Sequence, residues 1–101
     1  MTSVTLAERE GRYTVEAIGH AEGSVQACAA VSTIMWSVLG YLSNVEEIEI
    51  DTADFAEGFF SIGFSGGVSA RTMYDFCIIA FLQLEKSYSG YVTVSRTSEK
   101  K

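Results

Sequence analysis

Between Glu22 and Glu46 the chain carries no charged residue. A stretch of that length ends up either in a bilayer or in the middle of a folded domain. Ser24, Gln26, Ser32, Ser37 and Ser43 are spread among its apolar positions, which favours a buried amphipathic helix over a membrane span. Ser24 is a suitable N-cap, and Val25, Cys28, Val31, Met35, Leu39 and Leu42 recur at helical spacing behind it. This predicts a helix ending near Asn44. With 101 residues in all, the chain has material for a single core and for no second catalytic domain.

The rest of the pattern arranges itself around that helix. Residues 3–9 and 13–19 alternate apolar and polar across the turn-prone Glu10-Gly11-Arg12, which predicts a hairpin. In 46–55, Glu47, Glu49 and Asp51 fall on one face of a strand and Ile48 and Ile50 on the other. After a turn at 56–58, a strand at 58–65 aligns Phe60, Ile62 and Phe64. Gly66-Gly67 breaks the chain and Ser69 is the expected cap of a second helix, whose buried stripe is Ala70, Met73, Tyr74, Cys77, Phe81 and Leu84. Gly90 stops that helix, 91–95 reads as a last strand, and Thr97 onward reads as a solvated tail. The order ββαββαβ defines an α+β domain with two helices packed on a largely antiparallel sheet. No proline occurs anywhere, which argues against an extended, linker-rich architecture.

Charge excludes partners. Thirteen acids against seven Lys and Arg give a net charge of −6, and no Lys or Arg lies between Arg12 and Arg71. That stretch holds Glu16, Glu22, Glu46, Glu47, Glu49, Asp51, Asp54 and Glu57. It repels nucleic acid and anionic lipid and attracts a basic peptide. Two cysteines do not make a disulfide scaffold and no secretory leader pattern opens the sequence, so the cytoplasm is the expected compartment.

One pairing carries chemistry. The single histidine, His20, follows the second predicted strand, and Cys28 lies near the start of the first predicted helix. Helix N-termini present backbone N–H groups and a positive dipole end, which favour a thiolate nucleophile and can receive an oxyanion. A neighbouring imidazole can protonate a leaving amine. Set against this, the commonest role of a cysteine on an apolar helix stripe is that of a small buried hydrophobe.

Gly19-His20-Ala21 followed by Cys28-Ala29-Ala30-Val31-Ser32 resembles the ribosomal-processing cysteine proteases, the Prp family, and the element order matches that family over almost the whole chain. The resemblance implies a cysteine-protease-like domain over residues 1–97, a solvated tail over 98–101, Cys28 as nucleophile and His20 as base. Gly19, Ala21, Gly23 and Ser32 match the flanking motif as supporting positions. It also implies a homodimeric cytoplasmic thiol protease, free of cofactors, that removes a short N-terminal extension from a ribosomal or phage structural protein at an aromatic-rich sequence, and the acid-only stretch between Arg12 and Arg71 adds a preference for a basic one. Two positions depart from the family pattern. The Asp usual three residues before the cysteine is Val25, and the loop from His20 to Cys28 is short, with Glu22 its only carboxylate. These departures keep a second reading open, a non-catalytic dimeric binding or scaffolding module on the same fold.

Other candidates resolve to structure. Cys77 lies mid-helix among Met73, Phe81 and Leu84 and is read as core. His20, Cys28 and Cys77 lack a fourth ligand and metal-site spacing, so no metal is expected. The alternating acids at 47–51 read as a solvated face, and the glycine-rich 63–69 lacks the lysine of a phosphate cradle. Phe59, Phe60, Phe64 and Tyr74 are assigned to the core, with one or two available to line a groove for an aromatic substrate residue.

Overall fold

A computed structural model describes residues 1–19 and 24–99; the expectations attached to His20, Ala21, Glu22 and Gly23 lie outside them. The elements are β1 (Thr2–Arg9), β2 (Arg12–Ile18), α1 (Val25–Ser43), β3 (Glu49–Ala56), β4 (Phe59–Ser65), α2 (Gly67–Ser87) and β5 (Val92–Glu99). The strands form one sheet in the order β3-β4-β2-β1-β5. Every pairing is antiparallel except β1 with β5, which is parallel. The chain is thus an α+β domain with the predicted ββαββαβ order.

The core lies between one face of this sheet and the two helices. Val4, Leu6, Val15, Ile62 and Phe64 from the strands meet Ala27, Val31, Met35, Val38 and Leu42 of α1 and Ala70, Tyr74, Cys77 and Phe81 of α2. Helix α1 has the length and apolar content of a membrane-crossing helix; Ala27, Val31, Met35, Val38 and Leu42 are buried in the core, while Trp36 and Tyr41 are exposed. Ser24 caps it as the sequence predicts: its hydroxyl accepts from Ala27 N at 3.1 Å, and Asn44 closes the other end. Val25, placed on the buried stripe by spacing, is instead 82% exposed. The buried stripe is Ala27, Val31, Met35, Val38 and Leu42, and at 3.6 residues per turn Val25 falls on a flank away from it.

Three further expectations change. Ser69 does not cap α2; the cap position is Gly66, at φ +141°. A Cβ there would stand 2.5 Å from the Glu47 carbonyl oxygen and 2.7 Å from Ile48 Cα, so only glycine allows this close approach. Glycine has no side chain with which to cap, and the carboxylate of Glu47 supplies the acceptor from outside the helix, 3.2 Å from Ser69 N. The second change concerns strand β3. Its pairing with β4 skips Asp51, with Ile50 opposite Phe64 and Thr52 opposite Gly63. Such a bulge reverses the alternation, so Ile48 and Ile50 pack on the core before it and Phe55 after it. The acidic face drawn from strict alternation therefore breaks at Asp51, whose carboxylate instead meets Arg12 Nη1 at 3.4 Å, and Glu47 precedes the strand. Third, β5 continues to Glu99 because β1 offers pairing partners as far as Arg9. The tail expected from Thr97 is strand at least that far.

The Glu47 contact gives stability a pH dependence. Hydrogen bonding to Ser69 lowers the Glu47 pKa below its ordinary 4.5. A carboxylate depressed on folding contributes stability above its unfolded pKa and loses it as pH falls through the folded value. Glu47→Gln is therefore expected to lower the urea midpoint at neutral pH. The gap to wild type is expected to close as the pH drops below 4.5, and urea titrations of both proteins across that range check it.

Candidate active site

One end of the sheet, where β2 stops and α1 starts, encloses a cavity of about 180 Å³. Its walls come from Thr2 and Gly19, from Cys28, Val31 and Ser32 of α1, from the β3–β4 turn Ala56-Glu57-Gly58, and from Phe60. Backbone bonds hold this end together. Gly19 N donates to Gly58 O at 2.8 Å, which ties the first hairpin to the second, and Thr2 N donates to Tyr91 O at 2.9 Å. Gly19 has φ +102°, and a Cβ there would lie 2.5 Å from the Met1 carbonyl oxygen. Its place in the motif thus has a steric cause.

Cys28 is the fourth residue of α1, and its N–H bonds Ser24 O at 3.2 Å as the first rung of the helical ladder. With the Ala27 N–H taken by the Ser24 hydroxyl, the amides of Val25 and Gln26 are the ones without an intrahelical acceptor. The thiol is half-buried and lines the cavity, and Ser32, one turn further on, lines it too. Of the residues picked from sequence, the cavity brings together Gly19, Cys28 and Ser32. His20, Ala21 and Gly23 lie outside the described residues; His20 is the next residue after Gly19. Val25 is not among the lining residues. Among the described residues, no group of three or more His, Cys, Asp or Glu side chains is placed to hold a metal ion.

Cys77 is fully buried on α2, and desolvation pushes its thiol up to about 12, in keeping with the core role read from its neighbours. Phe60 is one of the aromatics expected to line a groove; the sequence did not reveal that Thr2 and the Ala56–Gly58 turn wall the cavity as well. The turn was legible, but its approach to Cys28 depends on β4 pairing with β2, a contact between distant segments.

No family model matches the sequence, and no curated protein matches it either. Among solved structures the architecture recurs over nearly the whole chain, and it is the fold of a ribosomal processing protease. That protease is the essential ribosomal processing protease Prp from S. aureus. Its complex with a covalently linked product peptide matches at TM-score 0.80 and 17% identity, over 95% of this chain and 99% of that one. Its complex with a substrate peptide matches at 0.76 and 16% identity, with the same coverage. SMU.848 from Streptococcus mutans matches at 0.76 and 20% identity, over 98% of this chain and 96% of that one. The chain therefore has the Prp fold, held by a widely diverged sequence.

The two thiols differ in access. Iodoacetamide on the native protein is expected to label Cys28 and leave Cys77 unmodified until denaturant is added. Peptide mapping by mass spectrometry checks this.

Proposed function

We propose that the chain is a cysteine endopeptidase of the Prp type, acting in the cytoplasm on the N-terminal extension of a ribosomal or phage structural protein. The observation that carries this reading is Cys28 in the first turn of α1, on the wall of a cavity that Gly19, the residue before His20, also lines. In this mechanism the imidazole of His20 takes the Cys28 thiol proton, the thiolate Sγ attacks the scissile carbonyl carbon, and the amides at the start of α1 face the resulting oxyanion. The C–N bond then breaks as the imidazolium of His20 gives its proton to the leaving amine. Water hydrolyses the thioester, returning the thiol and releasing the carboxylate product.

A second reading, a binding or scaffolding module without turnover, is favoured by the short segment between His20 and Cys28 and by Val25, which stands where the family carries Asp and whose side chain is exposed. Mass spectrometry of a basic, Phe-rich peptide library separates the two. Cys28→Ala is expected to abolish cleavage, and His20→Ala to slow it by about 10² to 10⁴. Val25→Asp is expected to raise the rate by restoring a carboxylate that can orient the imidazole. Identical uncut libraries with wild type and Cys28→Ala would establish the module instead.

The proposed protein is a homodimer. Val68, Phe76, Ile79 and Leu82 of α2 are exposed on one side of the helix around Asp75 and its ion pair with Arg71, and apolar side chains so placed are of the kind that a second subunit covers. Sedimentation at micromolar concentration is expected to give a species of twice the 11.0 kDa chain, and a monomer alone would refute it.

A further inference from the structure

The cavity opens toward an unfinished edge of the sheet. Strand β3 is the outermost strand on that side, and its last residue, Ala56, is part of the cavity wall. The opposite edge differs: on β5 the Val94 N–H is already taken by the Glu85 carboxylate at 2.8 Å. Above β3 stands Trp36, on the same side of α1 as Cys28 and Ser32 by i, i+4, i+8 spacing. It is 57% exposed. Its ring meets Phe55 edge-on at 4.5 Å, and Phe55 meets Phe60 at 4.9 Å. A continuous aromatic row thus runs from the open edge to the cavity that holds Cys28.

We propose that an extended basic peptide binds by adding a strand to the outer edge of β3, with an aromatic side chain resting on Trp36 and Phe55 and its backbone leading to Cys28. This rests on the protease reading and adds the recognition mode and the residue that sets it. Side chains of an added strand alternate between the two faces. Next to Phe55 the peptide meets the aromatic row on the helix side; next to Asp54, and beyond the bulge next to Glu49, it meets exposed carboxylates on the open face. Glu47 and Asp51 are engaged with Ser69 and Arg12, which leaves Asp54, Glu49 and Glu57 to face the ligand. The complementary ligand therefore has an aromatic residue flanked by Lys or Arg, since residues on either side of the aromatic point to the acidic face. The helical rise puts Trp36 about 12 Å along α1 from Cys28. At about 3.3 Å per extended residue, the anchoring aromatic lies three to four residues from the bond cut.

Trp36 is the only tryptophan, so its fluorescence reads this surface directly. The experiment titrates Cys28→Ala protein with capped ten-residue peptides of Ala and Thr carrying one Lys-Phe-Lys. Expected is a saturable change in Trp36 emission, weakened at least tenfold by Glu-Phe-Glu in place of Lys-Phe-Lys and weakened by salt. N-methylation of one alternate set of backbone nitrogens is expected to abolish binding, while the other set is tolerated. In wild type, Trp36→Ala is expected to raise KM for a cleaved basic peptide at least tenfold with little change in kcat. Equal binding of the acidic and basic peptides, tolerance of both methylated sets, or an emission change on protein concentration alone would overturn the proposal, the last in favour of a second copy on this surface. Cleavage by wild type with Trp36 silent and Trp36→Ala unaffected overturns the strand addition and leaves the protease reading standing. A Trp36 response to Lys-Phe-Lys without cleavage by wild type supports the docking and removes the protease reading.

Discussion

The bond from Gly19 N to Gly58 O, 2.8 Å long, fastens the two hairpins at one end of the sheet. The rest of the candidate site depends on it. It requires Gly19 in a left-handed conformation against Met1, which only glycine adopts without strain. It sets the β3–β4 turn beside the start of α1, and so defines the distance across which Cys28, Ser32 and Phe60 face one another. Movement of the turn would open the cavity without disturbing the core, because Val15, Ile62 and Phe64 lie further along the strands.

At the other end of β3, Glu47 and the bulge at Asp51 address a different problem. The chain must leave β4 and enter α2 within a single glycine pair, and Gly66 fits against the Glu47–Ile48 backbone only without a side chain. The same segment then lends its carboxylate to the helix it crowds. The bulge reverses the facing of β3, so that Ile50 and Phe55, an odd number of residues apart, both reach the core. One inserted residue thus lets a single strand serve both the packing near α2's start and the aromatic row below Trp36.

Much of this was legible in the sequence. The limits of α1, its Ser24 cap, the two hairpin turns and the burial of Cys77 follow from spacing and cap chemistry, which act over a few residues. Cys28 at a helix start and Gly19 at a strand end were legible for the same reason. What the sequence did not disclose depends on segments far apart along it. The substitution of Glu47 for a helix cap required Gly66 to meet Ile48, the extension of β5 to Glu99 required the parallel partner β1, and the bulge at Asp51 became visible only once β4 fixed the register. Val25 was misplaced because the spacing was phased on Cys28, which lies at the rim of the buried stripe, and not on Ala27.

Glu85 of α2 has a consequence for the margin of β5. A sheet with two open edges can be extended from both sides, and repeated extension makes a fibre. Here the Glu85 carboxylate already holds the Val94 N–H, so a strand added to the β5 margin would have to displace a charged acceptor that the β3 margin does not present.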